Sequence, residues 1–213
     1  MTRQGTMARC GSGKPAGKAA RFEFHPLTSD RWRDFETLFG ECGACDGCWC
    51  MWWKLGNLEF NANRGEANRK AMRAIVRSGT VPGILAYAGG EPVGWCAVEP
   101  RVVYPRLARS RVRAPVDDAP VWSVTCFFVA PSWRRRRVTV HLLGAAADHV
   151  RRQGGRIVEG YPNDPRSGGS PDAWVYTGLV SAFLSAGFKE VARRSASKPI
   201  MRRALRAARS FRK

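Results

Sequence analysis

Four consecutive arginines, Arg134 to Arg137, stand between an apolar run and a segment of helical periodicity. A short basic turn there sets the first free amides of a helix, and the positive end of its dipole, beside the C-terminal edge of a strand. Such a place holds an anion and suits a pyrophosphate. By itself the unit is common to many α/β proteins. A second group with chemical potential is Cys42-x-x-Cys45-x-x-Cys48-x-Cys50, interleaved with Trp49 and followed by Met51, Trp52 and Trp53. Thiolates at this spacing can bind metal, but structural sites usually draw two pairs from separated segments. Here all four lie within nine residues, and no metal is expected. His25, His141 and His149 are scattered and suggest no triad.

The elements that must position these residues can be read from periodicity. Arg21 to His25 alternates as a first strand. Thr28-Ser29-Asp30 signals a helix start, with Trp32, Phe35, Leu38 and Phe39 on one face. A second helix is expected from Arg64 to Arg77 with Ala71, Met72, Ile75 and Val76 inward, stopped by Ser78-Gly79. Gly83 to Ala88 and Val93 to Glu99 flank Gly89-Gly90-Glu91-Pro92 and read as a hairpin. Arg101 to Pro120 is a long basic connection. Val121 to Val129 is the strongest strand pattern, closed by Pro131. After the arginines, Val138, Leu142, Leu143, Ala146 and Val150 make an apolar helix face, ended by Gly154-Gly155. Arg156 to Tyr161 is a further strand, Pro162 to Asp172 a loop, and Thr177 to Ala186 a short helix ending at Gly187. No repeat or linker divides the chain, so one mixed α+β domain is expected.

A chain of 213 residues, 44% hydrophobic and 10% aromatic, can bury one sizeable core and does not read as disordered. No apolar run approaches the roughly 20 residues that cross a bilayer, and the N-terminus lacks an apolar signal core. A cytoplasmic protein without a membrane partner is expected, and its seven cysteines are expected as reduced thiols. Lys and Arg total 36 against 17 acids, a net charge of +19. Ten of these bases lie at the two ends, where there is no acid, leaving +9 for the rest. Such a field attracts polyanions, whether phosphates, RNA or acidic lipid. Residues 1–20 are expected as a disordered basic leader, 21–203 as the domain and 204–213 as a basic tail.

The register of these segments resembles the GNAT acyltransferases. In that family a hairpin precedes a long strand ending near Val-Ala-Pro, and a turn of pattern Gln/Arg-x-x-Gly-x-Gly/Ala then opens a helix that holds the CoA pyrophosphate. A further strand follows, then a helix ending in a pattern like Tyr-x-x-x-Gly-Phe. This chain has Phe127-Phe128-Val129-Ala130-Pro131, Arg134-Arg135-Arg136-Arg137-Val138-Thr139, Val158-Glu159-Gly160-Tyr161-Pro162 and Phe183-Leu184-Ser185-Ala186-Gly187-Phe188. The resemblance covers Arg21 to Arg203. Gly94 to Pro100, the loop around Trp49 and the strand end Glu159 to Pro162 look like one bacterial branch. The implied fold is a central mixed, mostly antiparallel sheet flanked by helices.

The resemblance also implies where the donor lies: along Phe127, Phe128 and Val129, at Arg134, Arg135, Arg136, Arg137, Val138 and Thr139, and against Phe183. Three positions depart from the pattern. Arg137 stands at the key glycine, which lets backbone approach phosphate and permits positive φ, and Thr139 stands where a small residue is usual. Phe183 replaces the tyrosine that reprotonates the leaving thiolate. The strand Val121 to Val129 has no carboxylate. Acyl transfer to an amine needs a proton acceptor and donors for the oxyanion. Glu99 and Glu159 are the candidate bases, and Tyr161 and Tyr176 the candidate acids; each glutamate also reads as a solvated strand-end charge. Cys126 reads as packing before nucleophile. Trp49, Trp52 and Trp53 are expected to bind the acceptor as an aromatic lid. The implied activity is N-acyl transfer from acyl-CoA, acetyl-CoA in the first place, to an amine of a small molecule. Two alternatives remain at this point: aminoacyl-tRNA as the donor in an amide-forming transfer, and a non-catalytic nucleic-acid-binding module. The oligomeric state is not legible.

Overall fold

The computed structural model describes residues 21–165 and 176–206. The expected leader, the last residues of the expected tail and much of the loop after Pro162 lie outside the described residues. Among the described residues seven strands form one sheet: β1 (Phe22–Pro26), β2 (Gly83–Ala88), β3 (Glu91–Pro100), β4 (Trp122–Val129), β5 (Ile157–Gly160), β6 (Lys189–Arg193) and β7 (Pro199–Ala204). Their order is β1-β2-β3-β4-β5-β7-β6, antiparallel throughout except for the parallel β4–β5 pair. The mixed α+β architecture is therefore the expected one. The last strand carries the sheet to Ala204, opposite Ile157.

Helices cover both faces. On one side α5 (Val138–Arg152) and α6 (Val180–Ser185) close a core of Ile84, Cys96, Val98, Val124, Phe127 and Leu142. The fit of α5 depends on Gly94, where a Cβ would lie 3.0 Å from Val138 Cγ1 and 3.2 Å from Leu142 Cδ1. On the other side α1 (Trp32–Phe39), the short α2 (Asn57–Ala62) and α3 (Glu66–Arg77) pack with the Cys/Trp loop. The four α1 residues expected to face inward are buried. The helix begins three residues later than Thr28-Ser29-Asp30 suggests, because Ser29–Arg31 forms a 3-10 turn and Thr28 makes no side-chain cap. In α3, Met72 and Val76 are buried but so is Asn68, whose Nδ2 donates to the Gly47 carbonyl at 3.2 Å. The basic connection is not plain loop: it contains a 3-10 turn (Arg101–Val103) and the one-turn α4 (Pro105–Ala108).

The site depends on two irregularities of β4. Between Ala97 and Val98 its register with β3 slips, so that Ala97 faces Cys126, Val98 faces Val124, and Thr125 is the extra residue of a bulge. Its pairing with β5 lasts only from Trp122↔Val158 to Val124↔Gly160, after which the two strands part.

Candidate active site

The arginine turn keeps the backbone course that glycine would give. Arg135 and Arg137 both lie in the left-handed region, at φ 62° and 60°. Arg137 is the N-cap of α5, and the first intrahelical bonds run from the Val140 and His141 amides to its carbonyl. The amides of Val138 and Thr139 thus precede any helical acceptor. Around them Arg134, Arg135 and Arg137 are exposed, while the Arg136 guanidinium lies over the Trp133 ring at 5.0 Å. An arginine at this position can keep the phosphate approach open only if its side chain swings out or itself binds the phosphate. The residue accepts a left-handed conformation costing about 1–2 kcal/mol and lies exposed to solvent.

Where β4 and β5 part, the returning chain fills the wedge. The Tyr176 carbonyl accepts the Phe127 N–H at 2.6 Å, and the Gly178 carbonyl accepts the Asn163 N–H at 2.8 Å. Phe127, Phe183 and Phe188 pack edge to face below, with centroids 6.2 and 5.0 Å apart. The packing is close enough to require glycine: a Cβ on Gly160 would sit 2.1 Å from Phe183 Cε1. Phe183 is fully buried, a core ring with no face open to a donor.

On the opposite face two polar clusters sit beneath the basic connection. In the first, Glu99 is buried against the Lys54 ammonium and accepts from the Tyr104 hydroxyl at 3.4 Å. Burial raises the Glu99 carboxyl above its usual range, against the opposing pull of Lys54. In the second, Glu159 Oε1 accepts from Arg101 at 2.9 Å and from the Tyr161 hydroxyl at 2.6 Å, and Oε2 accepts from Arg202 at 2.7 Å. Arg202 also holds Asp117 at 2.6 Å, and Ser123 lies 2.8 Å from the Tyr161 hydroxyl. Burial, then the Glu159 charge, pushes the Tyr161 phenol up. Glu159 is not the solvated strand-end charge that sequence allows; it is a buried, fully engaged ion-pair centre.

Trp52, Trp53 and Tyr176 share one cavity of about 750 Å³ with Arg106, Arg109 and Arg113. Trp49 does not join them. It stacks on Phe39 at 5.7 Å and lines a separate cavity of about 360 Å³ beside Glu36 and Arg69. The thiols converge from two segments, with Cys50 Sγ donating to Cys126 Sγ at 3.7 Å. The Cys48 thiol is lowered to about 7, chiefly by its hydrogen bond from Cys50, while burial pushes Cys50 up. Among the described residues no group of three or more His, Cys, Asp or Glu is placed to hold a metal ion. Nor is any described helix long and apolar enough to cross a membrane.

The model of the acetyltransferase (GNAT) family matches residues 49–166. The chain belongs to that family. No curated protein matches it. Among solved structures, a GNAT acetyltransferase from Listeria monocytogenes is similar over 86% of this chain and 95% of its own, at 6% identity and TM-score 0.50. The aminoglycoside N-acetyltransferase AAC(6')-Iy, solved in complex with CoA, is similar over 84% and 94%, at 17% identity and TM-score 0.50. These likenesses are of fold.

Within a GNAT chain the sequence names some neighbours and misses others. Arg134 to Thr139 form one surface, and Trp52, Trp53 and Tyr176 another. The sequence points to the basic stretch Arg101 to Arg113 as a wall of the acceptor pocket, and Arg106, Arg109 and Arg113 do line the cavity of Trp52 and Trp53. It does not point to Lys54 or Ser123. Lys54 is 45 positions from Glu99, and nothing in spacing announces that pair.

Proposed function

We propose that the chain is an N-acyltransferase that moves an acyl group, acetyl in the first place, from a CoA thioester to the amine of a small molecule. The observation that carries the reading is the left-handed Arg135–Arg137 turn, which presents an open helix N-terminus ringed by exposed arginines. The donor's diphosphate takes the Val138 and Thr139 amides and the charges of Arg134, Arg135 and Arg137. Its carbonyl lies along the far end of β4. The Val129 N–H points to the same side as that of Phe127, by strand alternation, and meets the oxyanion. The amine enters from the cavity of Trp52 and Trp53. Its nitrogen attacks the thioester carbonyl carbon, the C–S bond breaks, and the ammonium proton passes to Glu99, directly or through water. Tyr176, half-buried on the cavity, returns a proton to the thiolate, since Phe183 cannot and the Tyr161 hydroxyl is held by Glu159 and Ser123. The family supports the reaction class, and the CoA bound by an aminoglycoside acetyltransferase of the same fold is consistent with this donor. The test is release of free CoA from acetyl-CoA over a panel of amines. Turnover that falls about a hundredfold or more in Glu99→Gln is expected; turnover indifferent to that change removes Glu99 from the reaction.

One observation favours a second reading, in which the donor is an aminoacyl-tRNA. The Tyr176 carbonyl already holds the Phe127 N–H, so a pantetheine arm laid along β4 has to displace it. An acyl group carried by RNA needs the arginine-lined surface but not that channel. RNA that co-purifies with the protein and leaves only at high salt supports this donor. Absence of such RNA together with saturable acetyl-CoA binding excludes it.

A further inference from the structure

Two polar donors in the walls of the cavity under the basic connection are not satisfied by the protein itself. Arg113 Nε and Trp53 Nε1 are both buried and have no hydrogen-bond partner, although both residues line the same space. They lie together, the Arg113 guanidinium stacking on the Trp53 ring at 5.0 Å. Arg113 makes no ion pair with any described residue. Its neighbour Arg106 is quite different. Arg106 Nε donates to the Leu55 carbonyl at 2.6 Å, its NH2 to Gly56 at 3.3 Å, and its plane covers Trp52 at 3.9 Å, so that guanidinium is structural. Arg109 adds a further exposed positive charge at the rim, and Glu59 is the single acid among the described lining residues. Arg113 as a whole is half-buried, so the cost falls on its buried Nε and on the Trp53 N–H, two buried donors without an acceptor. Burial pulls the Arg113 guanidinium down from its usual value, but a guanidinium still keeps its proton at neutral pH. The walls beside it, Trp52, Trp53 and Tyr176, are aromatic.

We infer that this cavity binds a small molecule with an apolar, planar body and an anionic oxygen group, the oxyanion held by the Arg113 guanidinium and, once a small turn of the side chain uncovers it, by the Trp53 indole N–H. A guanidinium fork and a neighbouring N–H match two oxygens of a carboxylate or phosphonate. The aromatic walls take the body. In calling this molecule the acyl acceptor, the inference rests on the acyltransferase reading; the anion preference itself does not. The amine end is then placed away from Arg113, and the proposed function passes its proton to Glu99, whose partner Lys54 follows Trp53 in the chain.

The test uses three probes with one body: phenylalanine, its aminophosphonate analogue and phenethylamine. They are titrated calorimetrically into the full chain with no acyl donor present. At least one anionic probe binds about tenfold or more tightly than phenethylamine, as expected for a charge-assisted hydrogen bond. Which of the two is tighter distinguishes carboxylate from phosphonate. Arg113→Gln removes most of that preference. Trp53→Phe keeps an aromatic ring, loses the N–H and lowers the preference by a smaller factor, and it serves alone should Arg113→Gln not fold. Equal affinities for the three probes, no saturable binding of any, or a preference surviving both substitutions overturns the inference. Acetyl-CoA is titrated separately into the wild-type protein. Failure there strikes the acyltransferase reading and leaves the anion preference standing.

Discussion

Arg137 shows how a residue type can mislead while its position does not. By resemblance its place corresponds to a phosphate-binding turn, while its identity puts the glycine-like backbone of that turn in question. The backbone nevertheless takes φ 60° there. Left-handed backbone costs a non-glycine residue about 1–2 kcal/mol, and glycine returns about 0.5–1 kcal/mol through unfolded-state entropy. Arg137→Gly is therefore expected to stabilise the protein by up to about 1 kcal/mol in urea denaturation, with donor affinity equal or slightly weaker for the lost charge. Tighter donor binding would mean that the arginine does obstruct the cradle. Glu99 makes the complementary case. The sequence exposes the carboxylate but not its Lys54 partner, because pairing across 45 residues is a property of the fold. Lys54→Met leaves Glu99 buried without its cation and is expected to cost about 3–5 kcal/mol, whereas Lys54→Met with Glu99→Leu recovers most of that loss. A single substitution within about 0.5 kcal/mol of wild type, the range of an ordinary surface change, would show that water reaches the pair.

The elements themselves were largely legible, because β2, β3, β4 and α5 carry strong alternation or helical periodicity bounded by glycine and proline. What periodicity does not encode is where β4 bulges and where it leaves β5, since both are set by what packs beside the strand. The Phe183 ring against Gly160 is one such determinant. Gly160→Ala is expected to destabilise the sheet by about 1–3 kcal/mol, with Gly160→Ala/Phe183→Leu costing less than the sum of the two single changes. Strict additivity in denaturation would sever the two positions. Helix α5 carries a pH signature as well. Burial, and then Arg152, hold the His149 imidazole below its ordinary value of about 6.5. The unfolded chain therefore takes up that proton first as pH falls. Stability present above pH of about 6.5 is lost as the pH drops through the lowered folded value. The thermal midpoint should decline as the pH falls below about 6.5, and His149→Phe, which keeps the edge contact with Trp122, should flatten that decline. An identical decline in both proteins would assign it elsewhere.

Across the whole molecule, the excess of +19 is less diffuse than composition suggests. Arg101 and Arg202 are committed to Glu159 and Asp117, Arg69 to Glu36 and Glu66, and Arg193 to Glu190 and Asp164. Arg134, Arg135 and Arg137 remain exposed at the tip of α5, and this is the surface that the proposed function gives to the donor. The Cys/Trp loop belongs to the same region, since Cys45 feels the charge of Arg134 and Cys50 touches Cys126 on β4. The arginine turn, the far end of β4 and the Cys/Trp loop therefore meet at one end of the sheet, where the proposed function puts the donor. The most direct measurement is a calorimetric titration of CoA into the wild-type chain and into Arg134→Glu/Arg135→Glu. The account predicts saturable one-to-one binding to the wild type, weakened about tenfold or more by the double reversal and by added salt. Binding that ignores the reversal, or no binding of CoA to the wild type at all, would contradict it.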